Sequence, residues 1–232
     1  MTSWNTGNGL LDRILRLLPS QGATLSAISH RPGELLYEPD QATPYLHFPA
    51  GGTVALLVRA GRRSAGAEVA TVGSEGVVPL SALLRIGSSP VVAVQQLPGM
   101  VIRTPVAPIA RALRDDARMQ NLVHRYAAYA LEVAYQTSAC SALHDIAART
   151  ARCLLVMGFH GASRSLEVTQ AMLAQMLGAQ RQSVSAAVNQ LARSGAVTLE
   201  RGRIGLRSLR ILERAACNCY PILARQQRDI FG

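Results

Sequence analysis

The chain has 232 residues, 49% of them hydrophobic, and a formal net charge of +10. This composition supports a sizeable core in one large domain or two small ones, and it excludes general disorder outside residues 1–7. The apolar runs are far shorter than the roughly 18 residues of a membrane span. No secretory signal is evident, so we expect a cytoplasmic protein that does not contact membranes.

The positive charge is unevenly distributed. All 24 basic residues are arginine, which excludes a lysine-containing phosphate loop and a lysine Schiff base. Residues 1–138 carry twelve arginines against nine acidic residues, and residues 139–232 carry twelve against five. The basic C-terminal part favours a polyanionic partner such as nucleic acid, with a merely solubilising charge as the alternative.

The first predicted element is a short amphipathic helix over residues 10–18, which ends before Pro19. From residue 33, short apolar runs alternate with glycine, proline and aspartate at a spacing of about ten residues, which is typical of an antiparallel β-sandwich or barrel. An exposed hairpin loop is expected at residues 59–66. The strands are predicted near residues 35–37, 45–48, 53–58, 67–72, 91–97 and 100–106.

Residues 109–137 contain neither glycine nor proline and repeat apolar side chains at three- and four-residue steps. They predict one helix of about 28 residues, or about 42 Å. Its apolar stripe can pack on the chain's own barrel or on a second chain; we expect the second arrangement, a homodimer. The stripe consists of Met119, Val123, Tyr126, Ala130 and Val133.

Three further helices are expected, over residues 141–157, 170–177 and 181–195. Thr169 suits an N-cap and Gly178 a left-handed turn between the last two. Small or apolar residues stand where two steeply crossing helices touch. This pattern predicts a helix-turn-helix whose second helix enters the DNA major groove, with a plain helical hairpin as the alternative. The contact residues are Leu173, Ala174, Leu177, Val184 and Ala187.

The second helix of this motif has a polar face. Gln182 and Asn189 can pair with adenine, and Arg181 can reach a base or a phosphate. Residues 196–199 and 204–206 predict a β-hairpin, the wing of a winged helix. Phosphate contacts are expected from Arg193 and from the wing-tip residues Arg201 and Arg203.

A barrel, a long helix, a helix-turn-helix and a basic wing together resemble the Crp/Fnr superfamily over almost the whole chain. The resemblance implies an α+β fold with a jelly-roll-like, cyclic-nucleotide-binding-like β-roll over residues 1–108. A dimerisation helix over 109–138 and a winged helix-turn-helix over 139–232 follow. The matching motifs are GELLYEP (33–39), Phe48-Pro49, EVATVGSEG (68–76), Thr169-Gln170, Met176 to Gly178, Arg181 and ACNCY (216–220).

The same resemblance implies a homodimeric regulator of nearby promoters, with double-stranded DNA and RNA polymerase as partners. It places Arg181, Gln182 and Ser185 at base-reading positions and Thr169 at a phosphate-contacting one. We add Asn189 to the base-reading set on the chemistry of its side chain.

The sensor part departs from the family pattern. Cyclic-nucleotide binders follow a Gly-Glu pair with Arg-Ser or Arg-Thr, whereas no arginine stands at that position after Glu75. Cyclic AMP is therefore not an expected effector. The candidate effector pocket consists of Glu75, Ser88, Ser89 and Arg103. The alternative is a cyclic dinucleotide or other anionic ligand held by Arg59, Arg62, Arg63, Arg85 and Arg103.

Four cysteines, Cys140, Cys153, Cys217 and Cys219, are too few and too scattered along the sequence for a disulfide framework. We expect buried reduced thiols on helices and no cofactor. The C-x-C pair at 217–219 stands alone, without a C-x-x-C, so a zinc or iron–sulfur site is the remote alternative. The family's iron–sulfur sensors carry an N-terminal cysteine cluster that this chain lacks. A cupin-like metal enzyme with His47 as ligand is a remote alternative; no catalytic motif supports an enzyme.

Overall fold

The computed structural model describes residues 4–18, 24–59, 66–161 and 163–231. The predicted arginine pair Arg62-Arg63 lies outside these residues. The helices are α1 (Gly9–Leu17), α2 (Leu80–Leu83), α3 (Val106–Asp115), α4 (Ala117–Leu143), α5 (Ile146–His160), α6 (Gln170–Met176), α7 (Arg181–Arg193), α8 (Leu209–Ala215) and α9 (Cys219–Phe231). The strands are β1 (Ser26–His30), β2 (Tyr45–Pro49), β3 (Thr53–Val58), β4 (Ala67–Val72), β5 (Val92–Leu97), β6 (Gly99–Pro105), β7 (Ser165–Leu166), β8 (Val197–Glu200) and β9 (Arg203–Leu206).

The N-terminal half is an antiparallel β-roll, as the strand spacing predicts. One described sheet has the order β1-β6-β2 and the other the order β4-β3-β5. Strand β1 escaped sequence analysis because its side chains are mostly exposed and follow no apolar run. Residue Leu35 of the predicted strand 35–37 forms only an isolated bridge with Val94. Together these elements confirm the β-roll of the predicted α+β fold.

Helix α1 closes one end of the roll. The Asn8 side chain caps the helix by accepting from the Leu11 amide (2.9 Å), and its own amide group donates to the Pro49 and Gly76 carbonyls. Thr6 donates to the Asp12 carboxylate (2.7 Å). Residues 4–8 are therefore tied to the domain, contrary to the expected disorder of residues 1–7.

The predicted single helix over residues 109–137 is two helices, α3 and α4. The chain extends at Asp116 (φ −120°, ψ 112°), whose side chain accepts from the Arg118 amide and so caps α4. A capping aspartate can end one helix and begin another without glycine or proline. The absence of glycine and proline therefore predicted correctly that residues 109–137 are helical. It predicted wrongly that they form one continuous helix.

The apolar stripe of α4 packs on its own chain, so four of the five residues assigned to a dimer interface are unavailable to a second chain. Met119, Val123, Tyr126 and Val133 are buried in the core that α4 shares with α1 and the β-roll. Tyr126 also bonds through its hydroxyl to the Val77 amide (2.9 Å) and carbonyl (3.2 Å). Ala130 is half-buried. Side chains without exposed surface have nothing to offer a second chain.

The C-terminal part is a winged helix with its own core, formed by α5 to α8 and the sheet β7-β9-β8. Leu97 of β5 joins this core, so the two halves pack together. Helix α9 then returns along α4, where Arg125 donates to the Asp229 carbonyl (3.0 Å). No helix of the described ranges is long and apolar enough to cross a membrane.

Candidate nucleic-acid interface

Helices α6 and α7 form the predicted helix-turn-helix. Thr169 caps α6 by accepting from the Met172 amide (3.2 Å), and Gly178 adopts φ +57° in the turn. A left-handed turn at this angle strains residues that have a Cβ atom, which explains glycine here. The predicted contact residues Leu173, Ala174, Leu177, Val184 and Ala187 are all buried.

Helix α7 presents the polar face that its sequence predicts. Arg181, Gln182 and Asn189 are exposed, and Ser185 is half-buried on the flank. Arg193 is exposed at the C-terminal end of the helix. Val188 and Leu191 face inward, so packing fixes which side of α7 is turned to solvent. The base-reading roles of the exposed side chains remain predictions.

The wing lies beside the start of α7. Strands β8 and β9 pair with Glu200 opposite Arg203, and the turn between them holds exposed Arg201 and Gly202 at φ +75°. A depression of about 220 Å³ lies between the wing, α6 and α7, and its lining includes Thr169, Arg181 and Arg203. Three residues predicted to contact DNA therefore share one concave surface.

One cation in this depression has an intramolecular partner that the sequence did not reveal. The Arg203 guanidinium donates to the Glu167 carboxylate at 2.6 Å, and both side chains are substantially exposed. An exposed ion pair is worth about 0–1 kcal/mol, so a phosphate can compete with Glu167 for Arg203. The 36-residue separation of the two leaves no local sequence signal.

A second concave site lies between the β-roll and α4. It is a cavity of about 530 Å³, lined mostly by valine, leucine and alanine side chains. Glu75 is the charged residue among the described residues that line it, and these include no arginine. Tyr37, Thr71, Ser81, Ser89, Tyr126 and Tyr129 supply its other polar groups.

This cavity contains only part of the predicted effector pocket. Glu75 and Ser89 line it, whereas Ser88 is exposed outside it. Arg103 lies on β6 in the other sheet, with its guanidinium over the Tyr45 ring at 4.2 Å from the centroid. Neither Ser88 nor Arg103 lines the cavity, since Ser88 is turned to solvent next to Ser89 and Arg103 belongs to the other sheet; their role in an effector site stays a prediction. Arg59 and Arg85 are exposed as well.

Glu75 connects this cavity to the DNA-binding half. Its carboxylate lies 2.8 Å from His160 Nδ1, at the end of α5, and both side chains are buried. The Gly73 amide also donates to it (3.1 Å), and Gln227 of α9 approaches to 3.5 Å. Although burial opposes ionisation of Glu75, its pKa is lowered overall by His160 and by the amide hydrogen bonds.

A second contact between the halves centres on Glu68 of β4. Gln96 donates to its carboxylate (2.9 Å) and also approaches the Met176 sulfur of α6 (3.6 Å). Desolvation raises the pKa of Glu68 to about 7. Two carboxyl groups at the domain junction therefore have pKa shifts of opposite sign.

Two further predictions concern the four cysteines and His47. All four cysteines are buried and free, as expected. Although they are far apart in the sequence, Cys140, Cys217 and Cys219 converge in space with His144. His47 is a core residue stacked on Tyr37, with ring centroids 6.3 Å apart, and burial lowers its pKa to about 4.

Residues 148–215 match the family of Crp-like helix-turn-helix domains. Among solved structures, the chain is similar to FixK2 from Bradyrhizobium japonicum, with a TM-score of 0.69 and 20% identity over 84% of this chain and 98% of that one. It is also similar to the Crp/Fnr-family transcriptional regulator TTHA1359 from Thermus thermophilus, with a TM-score of 0.65 and 20% identity over 82% and 98%.

A third similar structure is the c-di-GMP-responsive global regulator CLP from Xanthomonas campestris, with a TM-score of 0.64 and 13% identity over 86% of this chain and 99% of that one. No curated protein gives a significant sequence match. The chain therefore has the fold seen in structures of Crp/Fnr-family regulators, and its residues 148–215 form a Crp-like helix-turn-helix domain.

Proposed function

We propose that the protein is a homodimeric transcription regulator that recognises imperfectly palindromic DNA through two copies of α7. The observation that carries this proposal is the shared depression of Thr169, Arg181 and Arg203 beside the exposed face of α7. Hydroxyl and guanidinium groups suit phosphate oxygens, and the polar face of α7 suits base edges. RNA polymerase is the partner that promoter regulation requires.

The exposed face of α4 supports dimerisation. Leu131 is 51% and Tyr135 64% exposed, on a side of α4 turned away from its buried stripe, and Leu131 also lines the β-roll cavity. The residues on this face alternate by four and three positions, the spacing of a coiled-coil seam. We call this face the α4 seam, and it replaces the stripe that the sequence suggested. It consists of His124, Ala128, Leu131, Tyr135, Ser138 and Ala142.

Two-fold symmetry then determines the form of the DNA site. Two recognition helices related by a dyad enter successive major grooves on one side of the duplex, so the half-sites lie about 34 Å apart. We assign base reading to Arg181, Gln182, Ser185 and Asn189. Phosphate contacts are assigned to Thr169, Arg193, Arg201 and Arg203.

The β-roll cavity is the candidate effector site. Its described lining has one carboxylate, Glu75, and no guanidinium, which disfavours cyclic AMP and other phosphate-bearing ligands, including cyclic dinucleotides. The Glu75–His160 pair supplies a direct connection from this cavity to the DNA-binding half. A ligand that displaces Glu75 can therefore alter how the two halves pack.

The test separates base reading from phosphate contact. A preferred duplex is first selected from random DNA, and binding to it and to a scrambled duplex is measured by anisotropy at two salt concentrations. Arg181→Ala is expected to weaken only specific binding, by about 1–3 kcal/mol, and to relax preference at one or two positions. Arg201→Ala is expected to weaken both duplexes alike and to reduce the salt dependence.

Arg228→Ala is the matched control, since it removes one exposed arginine on α9, away from the recognition helix and wing. Equal losses from Arg181→Ala and Arg228→Ala would refute the role of Arg181 in base reading. A wild-type protein that selects no sequence from random DNA would refute the proposed function itself.

A further inference from the structure

Four potential metal ligands converge where α4 ends and the α8–α9 connection passes over it. They are Cys140, His144, Cys217 and Cys219, and their ligand atoms all lie within 4.8 Å of one another. Cys140 and His144 are one helical turn apart on α4, so they share a face. Cys217 and Cys219 come from the other side, 73 or more residues along the chain.

The distances suit a single tetrahedral ion. Ligand atoms bound to zinc at about 2.3 Å (sulfur) and about 2.0 Å (nitrogen) lie about 3.5–3.8 Å apart. The Cys140 and Cys217 sulfurs are 3.5 Å apart, and Cys219 Sγ lies 3.6 Å from His144 Nδ1. An iron–sulfur cluster distributes its ligands over several irons and needs a wider set. Three sulfurs and one imidazole favour Zn(II) over oxygen-preferring cations.

We propose that Cys140, His144, Cys217 and Cys219 bind one Zn(II) in a closed Cys₃His site that fastens the C-terminal helix α9 to the central helix α4. Four protein ligands leave no open position for water or substrate, so the site is structural. Nothing in the function proposed above requires it.

Two polar side chains beside the four ligands, Gln136 and Arg152, suit a zinc–thiolate site. The Gln136 side chain donates to Cys219 Sγ at 3.0 Å, an outer-shell hydrogen bond of the kind that orients a metal ligand. Zn(II) with three thiolates and a neutral imidazole has a net charge of −1. The Arg152 guanidinium is close enough to act electrostatically on Cys140 and Cys217, and its Nε is buried without a hydrogen-bond partner among the described residues.

The location gives the ion a mechanical role. His144 is the C-cap of α4, and Asp145 next to it is the N-cap of α5, the first helix of the winged-helix half. Cys217 lies between α8 and α9, and Cys219 is the first residue of α9. A bond at this point connects the central helix, the exit from the winged-helix core and the returning helix α9. It thereby holds these three elements together at the boundary between the two halves.

Cys153 provides a control for the loss of a buried cysteine outside the proposed zinc site. Cys153 is buried on α5 and lies outside the cluster, with Met157 Sδ as its contact at 3.9 Å. The full chain is purified under reducing conditions with any histidine tag removed, and its zinc and iron are counted by plasma mass spectrometry. Binding of Co(II) to chelator-treated protein is followed by its thiolate charge-transfer absorption.

About one zinc per chain is expected in the wild type and in Cys153→Ser. Cys217→Ser and His144→Asn are expected to lower zinc affinity by at least 100-fold, and Cys217→Ser also to reduce the Co(II)–thiolate band. Because the His144 side chain is only half-buried, His144→Asn is the ligand variant expected to disturb folding least. Chelation of the wild type is expected to lower its Tm, because metal binding contributes to folding free energy.

Three results would overturn the proposal. One is a wild type that stays free of zinc after incubation with Zn(II) under reducing conditions. Another is a loss of zinc in Cys153→Ser as large as in Cys217→Ser. The third is a Cys140–Cys217 disulfide in place of the ion. Metal content is read without DNA, so a zinc-free protein that still binds its duplex refutes this site and leaves the proposed function standing.

Discussion

The depression beside the recognition helix and the cavity in the β-roll have opposite chemistry. Arg181 and Arg203 line the depression, which opens to solvent on the most basic part of the chain. The cavity is lined by aliphatic side chains around the carboxylate of Glu75. One surface suits a polyanion, whereas the other disfavours any ligand with a phosphate group.

This contrast explains why the two regions differ in how much of their function can be inferred. The residues proposed to contact DNA come from 35 consecutive positions, 169–203, and local helix and hairpin patterns orient their side chains. The cavity is lined by β4, by the segment that follows it, by the residues before β5 and by α4. Strand pairing and the packing of α4 on the β-roll bring these segments together. A helix-turn-helix is locally encoded, but a binding cavity in a β-roll is not.

The largest effect is expected from a substitution that separates the two chains of the proposed dimer. The double substitution Leu131→Glu and Tyr135→Glu places charges on the α4 seam, so we expect monomers in light scattering. Specific DNA affinity should fall by at least about 100-fold, because one half-site then carries the binding alone. Since both side chains are more than half exposed, the monomer should keep its fold, as judged by circular dichroism.

Ile86→Glu with Met100→Glu is the matched control, since both residues are exposed apolar side chains of the β-roll. This control should remain dimeric and bind DNA normally. If the seam variant stays dimeric while the control dissociates, the interface lies on the β-roll instead of α4.

The next prediction concerns the junction between the two regions. With its pKa raised to about 7, folded Glu68 keeps a proton that the unfolded chain releases above the ordinary value of 4.5. Stability attributable to Glu68 is thus lost as pH rises from 4.5 through 7. Glu68→Gln should raise the free energy of unfolding by up to about 3 kcal/mol at pH 8 and by much less at pH 5. Urea titrations at the two pH values measure this.

Glu75→Gln is expected to change the free energy of unfolding in the opposite direction to Glu68→Gln. Because the pKa of Glu75 is lowered by His160, its ionised form contributes stability above pH 4.5 that disappears as pH falls. Glu75→Gln should therefore destabilise the protein at pH 7 and have less effect in acid. Parallel behaviour of the two variants would contradict the assigned shifts.

The smallest effect is expected when cyclic AMP is added, because the β-roll cavity should not bind it. Cyclic AMP should produce neither a saturable calorimetric signal nor a change in Tm. A ligand present at 100 times its Kd adds about 2.7 kcal/mol of stability, so occupancy is easy to detect. A low-micromolar cyclic AMP site would contradict the inference from the missing arginine and would point to cations outside the described lining.

Sequence analysis succeeded where periodicity and local capping decide the structure. It placed α1, five of the β-roll strands, the helix-turn-helix and the wing within a few residues. It missed β1, whose residues show no apolar run, and it merged α3 with α4 because Asp116 interrupts the helix without a glycine or proline. It did not anticipate α8 and α9, and therefore nothing in it indicated that α9 returns to α4.

Composition and local pattern alone predicted a strand-rich N-terminal part, helices after it, the basic C-terminal part and the exposed face of α7, since the 3.6-residue period of a helix places polar and apolar side chains on different faces. Only the tertiary structure decided which face of α4 is buried, because the apolar stripe with Met119 and Val123 could pack on the chain's own β-roll or on a second chain, and it packs on the β-roll. It also decided that Glu75 meets His160 and that Cys140 meets Cys217, 85 and 77 residues apart. Contacts at such separations depend on how whole elements pack, and no local spacing encodes them.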